Sequence, residues 1–410
     1  MQQYGISVDI GTHKISLRIF DITTGEIHGH VLSENPQNKY GLDIITRCRT
    51  ALANHIDLTS ELRGIVNEMI EEMLNRVLIE RNSIKTAIIV GNSIMHHIFF
   101  DLDFTPLINE PFSTSYRDSM DLYTDSIDLN ALDHVPCLSP PLIGSFIGSD
   151  AVALGVSSSI FSSKETNLAI DIGANSEFIL SHSGRILAAS AASGPAFEGM
   201  SLDCGVSNKT GAITSIKISD DLSHVGYETL NSRRAIGICG TGAISALAEF
   251  VRKQIITSYG SFNRTARSPL LSLKSTPPFF MISKDVTISQ YDLRLLQQSK
   301  AAIGAAIATL LDRLDLNASD INSLYLAGQF GAAIDLNDAY DIDMFPSFDN
   351  ASLQQESYAA NLGAETIIVN KIPLTTLNDF VSRIEHVNLM NDEQFDAEFV
   401  QALQYSKASK

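Results

Sequence analysis

Apolar runs separated by polar, glycine-containing turns recur along the chain and predict a mixed α/β protein. Residues Ile6–Phe20 consist of two such runs joined by a short turn, which is the pattern of a strand hairpin. Residues Thr166–Leu180 repeat this design, and each hairpin has an aspartate, Asp9 or Asp171, followed by Ile-Gly at the end of its first strand. The two aspartates are 162 positions apart (171 minus 9), so we predict two related halves that face each other across a cleft.

Both turns have the composition of a phosphate-binding loop. Glycine lets backbone N–H groups approach a phosphate closely, and consecutive turn amides form an anion-binding nest. A carboxylate cannot hold a phosphate directly, but it can bind Mg2+ or orient a water molecule. Asp9 and Asp171 are therefore candidate magnesium ligands and catalytic residues. The candidate phosphate-binding residues of the two turns are Gly11, Thr12, His13, Gly173, Ala174 and Asn175.

Two further glycine-rich turns follow predicted strands. One follows the apolar run Ser323–Ala327, and a nucleotide could lie against it; tight packing at a helix N-terminus is the structural alternative. The other follows Cys239 and begins a predicted helix, whose N-terminus is a natural phosphate site. We interpret Cys239 itself as a small buried residue rather than a nucleophile. The candidate ATP-binding residues of these turns are Gly240, Thr241, Gly242, Gly328, Gln329, Phe330 and Gly331.

The segment Ala188–Gly199 is rich in small residues and contains one carboxylate, Glu198. Small residues let two backbones, or a backbone and a ligand, come close together. Glu198 is a candidate catalytic residue that binds the metal or an attacking water molecule. The alternative interpretation is a carboxylate at a helix start, stabilised by the helix dipole.

An isolated Asp-x-Gly turn is also ordinary turn chemistry, so the functional interpretation depends on all these elements together.

Other residues have competing interpretations. Neighbours on a helix point about 100° apart, so we predict that His96 and His97 are hydrogen-bonded interface residues rather than ligands of one metal. Lys300 lies in a helix that Ser289 is predicted to cap, and we predict a solvated lysine, with a nucleotide contact as the alternative. Residues 101–140 are predicted to be irregular, and residues 255–289 are predicted to be variable surface.

The length of 410 residues suits two domains, and we predict lobes at 1–152 and 153–385 and an acidic C-terminal tail at 386–410. The net charge of −18 disfavours binding to nucleic acid or to an anionic membrane. The chain lacks a recognisable signal peptide and a run long enough to span a membrane, so we expect a cytoplasmic protein. The four cysteines contain no Cys-x-x-Cys pair, so we expect no disulfide framework, zinc site or iron–sulfur cluster.

The two hairpins and the Ala-Gly-x-Phe-Gly turn, in this order, resemble the acetate kinase, sugar kinase, Hsc70 and actin superfamily. The resemblance implies two duplicated ribonuclease H-like lobes of the actin/Hsc70/sugar kinase type, with a nucleotide cleft between them. Within the superfamily the chain is similar to the ATP-dependent reductive activators of corrinoid proteins, and Ser193–Gly199 is the most specific match because generic sugar kinases lack it. The other matching motifs are Asn35-Pro36-Gln37, Tyr40-Gly41, Gly91-Asn92, Met95-His96-His97, Pro140-Pro141, Gly148-Ser149-Asp150, Asp171–Glu177, Cys239–Gly242, Gln297, Lys300–Ile303, Ala327–Gly331, Asn361 and Gly363-Ala364.

The resemblance implies an ATPase that binds ATP and Mg2+, docks a corrinoid protein and returns its cobalt from Co(II) to Co(I). In that family the electron usually arrives through an iron–sulfur domain on the same chain. Here Val8-Asp9 stands almost at residue 1, so we expect no N-terminal ferredoxin domain and a separate electron donor. The alternative is a homodimer that assembles a cluster from a cysteine of each chain. The sequence also departs from the family pattern at His13-Lys14, where further threonines are favoured, and at Ser176, where glycine is usual.

Three functional hypotheses follow. The leading one is an ATP-hydrolysing module that activates a corrinoid protein, and the second is a small-molecule kinase of the sugar or acetate kinase type. The third is a nucleotide-dependent binding module without catalysis. The activator hypothesis also predicts that the polar loop Asn35–Asp43 and the segment Met95–Phe100 contact the corrinoid protein.

Overall fold

The computed structural model describes residues 2–41 and 43–409; the predicted loop Asn35–Asp43 therefore includes one residue, Leu42, outside the described residues. Residues 1 and 410, at the ends of the predicted lobe and tail, are also outside them. The strands are β1 (Tyr4–Ile10), β2 (Lys14–Asp21), β3 (Ile27–Glu34), β4 (Ile84–Gly91), β5 (Met120–Tyr123), β6 (Pro136–Ser139), β7 (Asn167–Ile172), β8 (Ser176–His182), β9 (Arg185–Ala191), β10 (Ala212–Ile218), β11 (Val225–Thr229), β12 (Gly237–Ile238), β13 (Leu271–Ser272), β14 (Phe279–Ser283), β15 (Val286–Ser289), β16 (Ser323–Ala327), β17 (Ser352–Glu356) and β18 (Ile384–His386).

The α-helices lie mostly between these strands, as in other mixed α/β proteins. They are α1 (Ile44–Asn54), α2 (Leu58–Val77), α3 (Ser93–Phe99), α4 (Thr105–Ile108), α5 (Ser149–Ser157), α6 (Gly240–Arg252), α7 (Gln290–Asp312), α8 (Gly328–Gly331), α9 (Leu336–Asp341), α10 (Ala359–Val369), α11 (Leu374–Ser382) and α12 (Glu393–Ala402). Short 3-10 helices include Pro36–Tyr40 and Pro195–Glu198. None of the helices within residues 2–41 and 43–409 combines the length and the apolarity that a bilayer crossing requires.

Two six-stranded sheets contain the predicted hairpins. Their strand orders are β3-β2-β1-β4-β6-β5 and β17-β16-β7-β8-β9-β18. In the first sheet β1 pairs antiparallel with β2 and parallel with β4, so the sheet is mixed. Strand β1 has the sequence YGISVDI, in which Ile6, Val8 and Ile10 alternate with Ser7 and Asp9, and it is buried over most of its length. The predicted α/β class and both hairpins are confirmed.

The chain divides into two compact units, each assembled from three segments. The first unit consists of Met1–Ala169, Ile179–Ala188 and Tyr358–His386, and the second of Ile170–Phe178, Ala189–Ser357 and Val387–Lys410. The lobe boundaries that we place at 152 and 385 from the sequence remain predictions.

Strands occur both in the segment that we predict to be irregular and in the segment that we predict to be variable surface. Residues 101–140 include β5 and β6, and residues 255–289 include the sheet β13-β14-β15 with a fully buried Phe280. These strands have only two to five residues, which is too short for the period-2 alternation to be recognised. By contrast, the predicted cap of α7 is confirmed, because Ser289 and Asp292 form a reciprocal capping box.

In the first unit, α10 packs closely against α5, and a glycine sets the distance between them. A Cβ atom at Gly363 would overlap the carbonyl oxygen of Ala153. We expect Gly363→Ala to destabilise the protein by about 1–3 kcal/mol, because backbone must move to relieve the overlap. Gly64→Ala is the matched control, since a Cβ there meets nothing within 4 Å and α2 would gain about 0.5–1 kcal/mol of helix propensity. Urea unfolding of both variants measures the difference, and equal effects would contradict the packing argument.

Candidate functional site

The first predicted phosphate loop lies in the first unit, between β1 and β2. The N–H of Gly11 donates to the carbonyl of Lys14 at 2.9 Å, and a Cβ at Gly11 would lie only 2.8 Å from that oxygen. The turn therefore requires glycine at this position, as the sequence predicts. Asp9 precedes the turn on β1 and is half-buried.

The carbonyl groups of this loop are held by side chains from later parts of the chain. Asn35 Nδ2 donates to the Gly11 carbonyl at 3.0 Å and Arg47 Nη1 to the Thr12 carbonyl at 2.8 Å. Asn38 Nδ2 donates to the carbonyl of His13 at 3.0 Å. These contacts fix the orientation of the loop peptides. They place the polar segment around residues 35–38 behind the loop.

Thr12 and His13 present different groups to a ligand. Asn92 Nδ2 donates to Thr12 Oγ1 at 3.1 Å, which leaves the Thr12 hydroxyl hydrogen to donate elsewhere. The side chain of His13 is buried, with 4% exposure, so a nucleotide contact by this residue would use its main chain. Sequence reasoning missed Asn38 and Arg47, since neither lies next to the hairpin in the sequence.

The second loop lies in the second unit and brings Glu198 to the turn after β7. Glu198 Oε1 accepts a hydrogen bond from the Ala174 N–H at 3.0 Å and lies 3.4 Å from the position that a Cβ on Gly173 would take. Ser193 Oγ donates to the Gly173 carbonyl at 2.8 Å, and the Gly194 N–H donates to the Ala174 carbonyl at 2.7 Å. The Ser193–Gly199 segment therefore braces the loop Gly173–Asn175.

Asp171 and Glu198 are electrostatically coupled. Burial, reinforced by the negative charge of Glu198, raises the pKa of the Asp171 carboxyl group to about 6. A cation placed between the two carboxylates would relieve this repulsion. Mg2+ usually binds one or two carboxylates and keeps its other positions for water and phosphate oxygens, so this pair fits magnesium. Across residues 2–41 and 43–409 there is no group of three or more His, Cys, Asp or Glu side chains suited to a metal.

The third glycine turn reaches the same carboxylate. Gly328 has a φ of +78°, and a Cβ at this residue would lie 2.5 Å from Asp171 Oδ1. The ring of Phe330 stacks on the ring of Phe197 with centroids 5.1 Å apart and planes 5° from parallel. The turn Gly328–Gly331 is thus held between Asp171 and the segment that carries Glu198.

The fourth turn begins α6. A Cβ at Gly240 would overlap the carbonyl oxygen of Phe197, and one at Gly242 would overlap the carbonyl oxygen of Ile213. Packing against Ile213 therefore explains why residue 242 is a glycine. Gly240 instead lies against the segment that carries Glu198. The N-cap residue Cys239 makes no side-chain capping bond, and its Sγ donates to the Ile213 carbonyl at 3.1 Å. Its burial confirms the interpretation as a small buried residue.

Three predictions about residues outside the candidate site are wrong, and the first concerns Lys300. Lys300 is fully buried rather than solvated, and its Nζ donates to the Gln404 carbonyl at 2.5 Å and lies 4.4 Å from the Tyr405 ring centre. The pKa of Lys300 falls to about 8 because of this burial. The cause is the C-terminal segment, which packs over α7; a helix sequence alone does not show this cover.

The segment Met95–Phe100 is buried throughout, so it cannot contact a corrinoid protein as predicted. His97 makes the hydrogen bonds that we predict, with Ser93 O and Thr114 Oγ1, each at 2.7 Å. His96 does not, since neither ring nitrogen has a hydrogen-bond partner among the described residues. Burial lowers the pKa of His96 to about 3, so this histidine is neutral at physiological pH.

Comparison with known proteins identifies the family. The family described as "RACo middle region" matches residues 4–162, and the one described as "C-terminal domain of RACo the ASKHA domain" matches residues 165–410. "Corrinoid activation enzyme RamQ" of Eubacterium limosum is 28% identical, over 96% of this chain and 68% of that protein. The "[Co(II) methylated amine-specific corrinoid protein] reductase" of Methanosarcina barkeri is 23% identical, over 98% of this chain and 77% of that protein.

A solved structure described as "Reductive activator for corrinoid,iron-sulfur protein" is 26% identical, with a TM-score of 0.86 over 98% of this chain. The chain spans 66% of that protein, which is just under two thirds of its length. The match confirms the predicted actin-like, sugar kinase-like fold class. The chain belongs to the RACo family, with the ASKHA domain of that family in residues 165–410.

Proposed function

We propose that this chain is an ATP-hydrolysing module that drives the reductive activation of a corrinoid protein, from Co(II) to Co(I), with electrons from a separate donor. The observation that carries the ATPase assignment is the meeting of Asp171, Glu198 and the Gly328 turn in the second unit. Both curated relatives named above act on corrinoid proteins, which supports the partner. The kinase hypothesis has less support, because neither relative is named as a kinase.

In this proposal the glycine loops bind the phosphates of ATP through backbone N–H groups and the Thr12 hydroxyl. Mg2+ neutralises phosphate charge when bound, and Asp9 and Asp171 are its proposed protein ligands. Glu198 holds the Ala174 N–H in place and orients a water molecule. The nucleoside contacts come from two glycine turns in this proposal. Their residues are Gly240, Thr241, Gly242, Gly328, Gln329, Phe330 and Gly331.

The reduction of cobalt tests the proposal directly. The purified chain is mixed anaerobically with a corrinoid protein from the same organism and a one-electron chemical donor, and Co(I) is followed by its absorbance. We expect Co(I) with Mg-ATP and little without it, because ATP supplies the free energy for the uphill step. Formation of ADP without Co(I), with the phosphoryl group recovered on a small molecule rather than as free phosphate, would instead support the kinase hypothesis.

Thermodynamic linkage gives a second test. If ATP tightens binding to the corrinoid protein, that protein must tighten ATP binding by the same factor. Calorimetric titration of ATP with and without the partner measures this factor, and equal affinities would contradict coupling.

Light scattering on the purified chain tests whether it forms a homodimer. Cell fractionation tests the proposed cytoplasmic location.

The raised pKa of Asp171 predicts a pH dependence of magnesium binding. Mg2+ binds the ionised carboxylate, so the affinity for Mg-ATP should rise as the pH increases through about 6. Glu198→Gln removes the charge that helps to raise this pKa, so the midpoint should move to lower pH. ATP itself titrates in this range, but equally in both proteins, so the difference between their profiles isolates Asp171. Identical profiles would contradict the coupling of the two carboxylates.

A further inference from the structure

Arg47 is a buried cation in the first unit. It lies in the first turn of α1, its side chain is 0% exposed, and it forms no ion pair with a carboxylate among residues 2–41 and 43–409. Burial lowers the pKa of Arg47 only to about 10, so the guanidinium group stays charged at neutral pH. A buried charge without an ion-pair partner is costly, and the charge of Asp43 offsets this cost for Arg47 only in part.

All the hydrogen bonds of Arg47 go to neutral oxygens around the first phosphate loop. Nη1 donates to the Thr12 carbonyl at 2.8 Å, and Nη2 donates to Asn38 Oδ1 at 2.9 Å. Nε and Nη2 also donate to the Gly41 carbonyl at 3.4 and 3.3 Å. None of these acceptors is an anion, and the charge of Asp43, which also acts on the guanidinium group, balances the positive charge next to the loop only in part.

The bond to the Thr12 carbonyl has an electronic consequence for the loop. That carbonyl belongs to the same peptide group as the N–H of His13. A peptide that accepts a hydrogen bond from a cation becomes more polarised, and its own N–H becomes a stronger donor. Arg47 therefore strengthens the loop as an anion site and adds positive potential behind it.

We propose that Arg47 is a positioning residue that gives the loop Gly11–His13 its affinity for the phosphates of ATP and does not act on the nucleoside. This inference rests on the proposed function. The proposed role of Arg47 depends on its charge. A purely structural role is already performed by the neutral side chains Asn35 and Asn38, which hold the Gly11 and His13 carbonyls.

Calorimetry with ATP, ADP and adenosine on the full chain separates charge from structure. We expect Arg47→Gln to weaken Mg-ATP binding on the order of tenfold, ADP binding less, and adenosine binding by less than about twofold. Arg47→Lys keeps the charge and should recover most of the loss. Equal losses for Arg47→Gln and Arg47→Lys, or a parallel loss for adenosine, would overturn the proposal.

Asn38→Ala is the matched variant, since it removes a loop contact and one acceptor of Arg47 but keeps the charge and the bond from Arg47 to the Thr12 carbonyl. We expect it to change the ratio of ATP to adenosine affinity by less than about threefold. If the ratio of ATP affinity to adenosine affinity fell as far in Asn38→Ala as in Arg47→Gln, the proposed role of the charge would be overturned. If Arg47→Gln does not fold, the comparison of Asn38→Ala with Arg47→Lys still tests the proposal. If the wild-type chain binds no ATP, the proposed function fails instead.

Discussion

Asp171→Asn is expected to reduce Mg-ATP hydrolysis by at least about a hundredfold, the largest loss that we anticipate from a single side chain. The substitution keeps the size of the group and removes the negative charge that Mg2+ requires. Asp171 lies beside both Glu198 and the Gly328 turn, so in the proposed mechanism its charge acts on the bound metal. Phosphate release and calorimetry with Mg-ATP measure the effect.

Asp221→Asn provides the control for this experiment. Asp221 is an exposed carboxylate in the same unit, where it accepts hydrogen bonds from Ser219 and Ser223. This variant should hydrolyse ATP at the wild-type rate. If Asp171→Asn also bound and hydrolysed Mg-ATP like the wild type, the carboxylate would have to be removed from the proposed mechanism.

The parts of the fold that the sequence predicts well are those set by local patterns. The hairpin turns at Asp9 and Asp171 follow strands with strong apolar runs, and the cap of α7 is a short polar motif at Ser289. Gly11 is also recognisable from its setting, because the close backbone approach that requires glycine there is to Lys14 in the same turn. Each of these features is determined within a few residues, so a single sequence is sufficient to reveal it.

The parts that the sequence does not predict depend on contacts between distant segments. Arg47 meets Thr12 from 35 positions away, and Lys300 is covered by residues 104 positions later. The burial of Met95–Phe100 likewise depends on neighbours outside α3. For Arg47 and Lys300 the residue type suggests an exposed polar group. Only the tertiary packing shows that the group is enclosed.

Gly328→Ala is expected to impair both the binding and the hydrolysis of Mg-ATP, because it disturbs the loop and the carboxylate together. The φ of +78° is unfavourable for alanine, and the new Cβ would lie 2.5 Å from Asp171 Oδ1, so the carboxylate must move. A displacement of about 1 Å at a catalytic group can cost on the order of a hundredfold in rate.

Gly331→Ala is the matched control for Gly328→Ala in the same turn. Gly331 does not have a positive φ, and its new Cβ would make ordinary contacts of 3.5 Å or more with Leu326 and Ile172. This variant should therefore lose much less hydrolysis than Gly328→Ala, because it leaves the Asp171 carboxylate in place. The same assays compare the two variants, with thermal unfolding to show that each is folded. Equal activity in the two proteins would mean that the turn tolerates a side chain beside Asp171. ATP hydrolysis would then not depend on the present position of the Asp171 carboxylate. A selective loss in Gly328→Ala would instead tie the geometry of the third glycine turn to the chemistry at Asp171.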